Sequence, residues 1–445
     1  MRRKRIAALL TSSLLALSAL SGCSTLGSDD LYALPKQSDA YYELQNAIDR
    51  VLPSGAVFSG PMTGSNQQSV QFADLDGDAL DEAVVFLKTT GERPMKVYIF
   101  EPSGEGYENT AVIEGDGSSF DAVEYANIDG EAGLEILLGR SLSDQILQSL
   151  TVYAYRNGQT AELMSCNYSE FRTVDLDADE KKDVFVLRME TDERTGVAEL
   201  YRWRDGNLVR EQEVGMSMGA KQIKRIITGL LEDKVPAVFV ASTYEEDTII
   251  TDIFALRGNQ LQNIATSGDA GLSAPTVRSY NVYATDIDAD GVIELPTPMA
   301  LPSFVAGEET QWIIDWYSMD AHGKQWAKMS TYHNYSAGWY VALPSWWHDG
   351  LTVSASTHAV GGQVYTFSKW KGYDSAPEMI FEVFAFTGED RLEQAAANGR
   401  FLLAEKGETA YAALLGQCDW AQSLTQEELN AMFRFIYVDW NTGET

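Results

Sequence analysis

Asp74, Asp76 and Asp78 alternate within Phe72-Ala-Asp74-Leu-Asp76-Gly-Asp78-Ala-Leu-Asp81-Glu82-Ala-Val-Val-Phe86. Carboxylates at every second position of a tight glycine turn aim their oxygens at one point. Glu82, at the ninth position, closes the shell from the next strand. Hard oxygen ligands on a flexible loop suit calcium. An EF-hand loop continues for about twelve positions and runs into a helix. Here Glu82 is followed at once by Ala-Val-Val-Phe-Leu, an apolar run with little helical period. The spacing predicts a strand-loop-strand cation site.

The frame recurs along the chain. Asp175, Asp177, Asp179 and Asp183 precede Val-Phe-Val-Leu, and Asp286, Asp288, Asp290 and Glu294 precede Leu-Pro-Thr. Asn127, Asp129, Glu131 and Glu135 keep the frame with weaker ligands, whereas Thr228, Leu230, Glu232 and Pro236 keep only the flanking strands. First positions at 74, 127, 175, 228 and 286 mark a repeat whose period leaves room for four short strands. In the first unit those strands are expected at 68–72, 82–87, 96–101 and 107–113; later units run over 120–165, 170–214, 223–266 and 279–332. Third strands share a pattern, Val152-Tyr-Ala-Tyr155 and Leu200-Tyr-Arg-Trp203. Four-stranded units at this period make blades of a β-propeller, about five here. A short strand at 56–59 is placed to complete a blade by closing the ring.

The loops Asp-Leu-Asp-Gly-Asp-x-x-x-Glu, Asp-Leu-Asp-Ala-Asp-x-x-x-Asp and Asp-Ile-Asp-Ala-Asp-Gly-x-x-Glu resemble the FG-GAP/VCBS-type repeats of integrin-like propellers and many secreted bacterial proteins. The resemblance covers about residues 55–335. It implies calcium held by the first, third, fifth and ninth side chains with the seventh backbone carbonyl. That assigns Asp74, Asp76, Asp78 and Glu82; Asp175, Asp177, Asp179 and Asp183; and Asp286, Asp288, Asp290 and Glu294. The second and fourth loops depart from the pattern. Ligand shells this full leave little room for substrate, so the metal is expected to tie strands together.

The chain has 445 residues, 45% hydrophobic, and a formal charge of −32. So acidic a surface repels nucleic acid and anionic lipid. Its first residues read as an address. Arg2, Arg3, Lys4 and Arg5, an apolar run over 6–17, and Leu20-Ser21-Gly22-Cys23 form a secretory signal (1–22) ending in a bacterial lipobox. In proteins it resembles, the cut falls before a cysteine already carrying a diacylglyceryl group. Cys23 is thus the expected lipidation site, anchoring the chain to the cell membrane and facing it outside the cytoplasm. A tether (23–37) leads to a helix within 38–54, with Leu44, Ile48 and Val51 at helical spacing. The remaining cysteines, Cys166 and Cys418, are expected as two separate buried thiols rather than a bridge.

Residues 336–445 read as a separate α+β domain, with strands at 339–343, 351–357, 363–370, 378–386, 401–405 and 410–415. Thr425-Gln-Glu-Glu428 is a capping box that opens its last helix. Similar tails accompany such propellers in Gram-positive lipoproteins.

Other chemistry finds less support. Gly215-Met-Ser217-Met-Gly219 fits the nucleophile-elbow expression, but it falls where the repeat requires a turn and a strand. His322, His333, His348 and His358 lack zinc-protease spacing, and neither a phosphate loop nor a dinucleotide fingerprint is present. Trp312, Trp316, Trp326, Trp339, Trp346 and Trp347 crowd the join with the C-terminal domain, where they build an interdomain core or stack on sugar rings. The sequence thus points to an envelope-anchored, calcium-stabilised propeller acting as a non-catalytic protein- or glycan-binding or scaffold module. The alternative is a carbohydrate-active enzyme that places paired carboxylates in the propeller channel.

Overall fold

The computed structural model describes residues 39–436 except 105, 143–147, 190–195, 268–270, 280–281, 305–306, 308 and 359–361. The expected signal peptide, Cys23 and the tether lie outside the described residues. Among those described, no helix is long and apolar enough to cross a membrane.

The described residues are mainly β, folded into six antiparallel sheets that follow one another in sequence. In the first, β1 (Val57–Phe58) and β2 (Val70–Ala73) lie along one edge of β3 (Glu82–Lys88), and β4 (Met95–Ser103) and β5 (Gly106–Gly115) follow on the other side. The next three sheets each run in simple order. They are β6–β9 (Ser119–Ala126, Glu135–Ser141, Gln148–Arg156, Gln159–Tyr168), β10–β13 (Glu170–Val174, Asp183–Met189, Gly196–Arg204, Asn207–Gly215) and β14–β17 (Ile223–Leu230, Pro236–Thr243, Ile249–Arg257, Gln260–Asn263). The fifth holds β18–β21 (Leu295–Ala300, Trp312–Met319, Gln325–Asn334, Trp339–Leu343). The sixth is ordered β22-β23-β24-β26-β25 (Leu351–Thr357, Gln363–Lys369, Glu378–Thr387, Thr409–Leu415, Phe401–Lys406). A last strand, β27 (Phe433–Phe435), returns to the edge of the fifth sheet beside β21.

Four-stranded sheets at the expected period are therefore present, and the strands expected in the first unit fall on β2 to β5. Three details differ. Val57–Phe58 pairs with β3 of its own sheet instead of completing a distant one. The expected boundary at 335/336 falls between β20 and β21, which are hydrogen-bonded neighbours. And the C-terminal strands build a sixth sheet packed on the fifth, beyond the five repeats counted from the acidic loops.

Why the second strands read as continuous apolar runs is clear from their packing. In β3, Val84 and Phe86 face the second sheet, while Ala83, Val85 and Leu87 face helix α1 (Asp39–Val51) through Leu44, Ala47 and Ile48. The division repeats. Ile136 and Leu138 face back to the first sheet and Leu137 forward to the third; Val184 and Val186 face back and Phe185 and Leu187 forward; Val238 and Val240 face back and Ala237 and Phe239 forward. Between the fifth and sixth sheets Trp339, Trp347, Phe367 and Phe381 make the largest core, and α2 (Arg391–Ala396) covers the far face of the sixth. Trp316, Trp339 and Trp347 are thus core residues, whereas Trp326 and Trp346 stay 42% and 54% exposed. Cys166 and Cys418 are separate thiols, each half-buried rather than buried. The expected capping box forms at α3 (Gln426–Met432): Glu428 N donates to Thr425 Oγ1 at 3.1 Å and Thr425 N donates to Glu428 Oε2 at 2.8 Å.

His333 of β20 is buried against Trp316, Tyr335 and Tyr340. Burial holds its pKa well below the ordinary value. A base depressed in the fold gives stability that is complete above its unfolded pKa and lost as pH falls below it. Denaturant unfolding should therefore show wild type losing stability from pH 7 to pH 5, at up to about 1.4 kcal/mol per pH unit from this group. His333→Phe should lack that share of the slope.

Candidate metal centres

The first three acidic loops each join two paired strands, β2 to β3, β6 to β7 and β10 to β11, the fifth leads into β18 from the Thr285–Glu294 bridge, and similar hydrogen bonds shape them all. In the first, Asp74 accepts from Gly77 N at 2.7 Å and Ala79 N at 3.1 Å, Asp76 from Asp78 N at 3.1 Å, and Asp78 from Leu80 N at 2.8 Å. In the third, Asp175 accepts from Asp179 N and Glu180 N, and Asp179 from Lys181 N. The fifth repeats this with Asp286, Asp290 N, Gly291 N and Val292 N. Left-handed residues at the fourth position turn the backbone inward: Gly77, Gly130, Ala178 and Ala289, at φ +82°, +80°, +58° and +64°.

The three aspartates of each full loop converge. Asp74, Asp76 and Asp78 bring carboxylate oxygens within 4.8 Å of one another, as do Asp175, Asp177 and Asp179, and Asp286, Asp288 and Asp290. Ninth-position carboxylates stand apart from those groups and close the loop instead. Glu82, Glu135, Asp183 and Glu294 are buried, and each accepts from the backbone N–H of the second loop residue, Leu75, Ile128, Leu176 or Ile287, at 2.7 to 3.2 Å. Burial, with the neighbouring aspartate charges adding to it, pushes Glu82 and Glu294 up to about 7 and Asp183 to about 6. Glu294 Oε1 is fully buried and accepts no hydrogen bond. A divalent ion would relieve these buried charges, so the donor set fits calcium.

The loops differ in the bases beside them, which motif spacing alone did not reveal. Arg156 Nη2 lies 3.0 Å from Asp129 Oδ2 and 2.9 Å from Glu135 Oε1 in the second loop. In the third, Arg202 reaches Asp177 Oδ2 at 3.2 Å and Asp183 Oδ1 at 3.4 Å, and Lys181 reaches Asp179 at 2.9 Å. Lys328 lies 2.8 Å from Asp290 and 3.9 Å from Glu294 in the fifth. Among the described residues, no ion pair is made by Asp74, Asp76, Asp78 or Glu82. The signal for the two arginines was in the third-strand pattern, which contains Arg202 and is followed by Arg156. In the fourth frame Glu232 accepts from Ser318 Oγ at 2.5 Å and no carboxylate group forms.

Two further features bear on chemistry. Ser217 is buried, donates to Asp252 Oδ1 at 2.5 Å and accepts from Ser273 N at 2.9 Å, inside a network completed by Asn263. It fastens the turn between the third and fourth sheets and does not serve as an exposed nucleophile. An open cavity of about 690 Å³ is lined by first strands β6, β10 and β14, with Asp121, Glu124, Glu170, Arg172, Lys224 and Arg225 on its wall. Thr173 Oγ1 donates to Glu124 at 2.9 Å, Arg172 pairs with Glu170 at 3.5 Å, and Tyr168 donates to Asp121. Burial raises both Glu124 and Glu170 above the ordinary carboxylate range.

Consecutive loops nest. Leu134 N donates to Asp74 O at 3.1 Å, and Lys182 N to Asn127 O at 2.8 Å. A Cβ on Gly133, at φ +98°, would stand 2.4 Å from the Leu75 carbonyl oxygen. Gly133→Ala should cost about 2–3 kcal/mol in urea unfolding, from the left-handed backbone and the lost nesting together. Gly206→Ala, at φ +83° in open space, should cost only about 1 kcal/mol.

No protein-family model matches the chain, and no curated protein matches it. Among solved structures it is similar to the crystal structure of the exotype rhamnogalacturonan lyase YesX, at 14% identity and a TM-score of 0.31 over 72% of this chain. The chain spans 56% of that structure's length. A likeness of this degree assigns neither a ring nor an activity.

Proposed function

We propose that the chain is a calcium-stabilised, propeller-like array of blades, anchored to the cell membrane through a lipid on Cys23 and facing outside the cytoplasm. It binds or scaffolds a protein or glycan of the envelope or its surroundings, without catalysis. Calcium is supported by the recurring groups of three aspartate oxygens and by the orphaned Glu294 Oε1. The observation that carries binding is the cavity lined by first strands. Its wall grades from acids on β6 through an acid and a base on β10 to bases on β14, a surface suited to a polar partner. The loops that end β6 and β10, each closed by a buried carboxylate on a backbone N–H, hold that wall in place.

A second reading, a carbohydrate-active enzyme, is favoured by one observation: Glu124 and Glu170 share the cavity wall and both bind protons more tightly than usual. No tryptophan lines that wall among the described residues. Loss of polysaccharide cleavage in Glu124→Gln and Glu170→Gln, with folding intact, would establish the enzyme.

Thermal unfolding with calcium, with magnesium and with chelator tests the first reading. Calcium at about a hundred times its dissociation constant should add about 2.7 kcal/mol of stability and raise the melting temperature by several degrees. Magnesium should do much less. Converting Asp74, Asp76 and Asp78 to alanine should remove the first loop's share of the shift. An identical melting temperature in calcium and chelator would mean that the loops are ordinary turns.

A further inference from the structure

We propose that the second and third acidic loops are closed by the protein's own guanidinium groups, Arg156 and Arg202, and that calcium is confined to the first and fifth loops. The metal half of this rests on the calcium reading above; the arginine half does not.

The two arginines come from different places and arrive at the same positions. Arg156 bridges Asp129 and Glu135, the third and ninth residues of its loop, and Arg202 bridges Asp177 and Asp183, the third and ninth residues of its own. Yet they do not occupy equivalent sites on the third strand. Tyr153 pairs with Ile136 and Tyr201 with Val184, one residue beyond the ninth loop position in each case. In that register Arg202 is equivalent to Ala154, and Arg156 to Arg204. Two separate placements of a base thus supply positive charge between the carboxylates that an ion would otherwise join.

Both loops are also closed in other ways. Arg156 Nη1 donates to Leu75 O at 3.1 Å, tying the second loop to the first. Asn127 Nδ2 donates to Glu131 O at 2.6 Å, so an amide N–H stands where the other loops present a carboxylate oxygen. Arg202 has only 3% of its side chain exposed. A guanidinium buried that deeply is stable only beside its acids, so displacing it by a metal would strand a charge.

The first sheet lacks any such device. Phe100 pairs with Ala83, which makes Glu101 the equivalent of Arg202 and Ser103 the equivalent of Arg156. Glu101 is an acid, and it accepts from Tyr155 OH at 2.6 Å. In the fifth loop Lys328 approaches from the irregularity between β19 and β20, 2.8 Å from Asp290, 3.6 Å from Glu232 and 3.9 Å from Glu294; Asp286 and Asp288 have no base beside them among the described residues. Its single long side chain can swing to solvent when an ion enters.

The test counts bound calcium on the full chain by equilibrium dialysis and elemental analysis, beside denaturant unfolding in chelator. Wild type should hold one ion for each of the first and fifth loops. Asp76→Asn should lose one, Asp177→Asn should lose none, and Arg202→Met should gain one. In chelator Arg202→Met and Arg156→Met should unfold at lower denaturant than Arg204→Met, whose guanidinium is 41% exposed and touches no loop carboxylate among the described residues, pairing with Glu211 and donating to Trp203 O. Should Arg202→Met fail to fold, Arg202→Lys, which keeps the charge without the fork, supplies the same comparison. Loss of an ion in Asp177→Asn would overturn the proposal, because the third loop would then be a metal site. Wild type binding no calcium would sink the calcium reading, and the chelator comparison would still decide the arginines: equal unfolding of the Arg202, Arg156 and Arg204 variants would refute their role.

Discussion

Val84 and Phe86 leave β3 on one side and Ala83, Val85 and Leu87 on the other, and neither set reaches water. A sheet apolar on both faces cannot stand alone. Each fully buried side chain of this kind contributes about 1.5–3 kcal/mol only when a partner covers it. Every sheet therefore depends on the ones before and after it in sequence. Sheet order, the placement of α1 and α2, and the crowding of aromatics between the fifth and sixth sheets all follow from this demand.

Loop chemistry is subordinate to that packing. A second strand held between two neighbours must begin at a fixed place, and its first residue is Glu82, Glu135 or Asp183 in three successive sheets. The carboxylate is drawn inside, where it accepts a backbone N–H and would carry an unfavourable charge. The sheets answer this cost in different ways. Protonation near neutral pH, an arginine from the third strand, and a divalent ion are alternative means of neutralising one buried group. On the reading proposed above, which of them operates depends on whether the third strand offers Arg, Ala, Ser or Glu at the facing position.

Much of this was legible in the sequence because its causes are local. Alternating aspartates around a glycine or alanine turn specify their own hydrogen bonds, and apolar runs of three to five residues after the first four frames mark strands buried on both faces. What the sequence concealed was nonlocal. Nothing in Phe433-Arg-Phe435 announces that it will pair with Trp339-Tyr-Val341, about a hundred residues earlier, so the fifth sheet looked finished at 335. Ser217 satisfied a motif expression, but burial beside Asp252 gives it a fastening role that no expression encodes. Trp316 and Trp326 share a local context, and only the direction in which each side chain leaves its strand separates core from surface.

Helix α1 covers the free face of the first sheet and α2 that of the last. Terminal caps of this kind relieve an array of the angular requirement that a ring imposes, in which the blades must sum to a full turn. The number of units is then free to drift. Duplication or deletion of an internal sheet would leave two matched faces in contact and both ends still protected. An array with fewer or more repeats would keep both ends covered, and a frame without a full ligand set, like the fourth, would serve as a spacer between its neighbours.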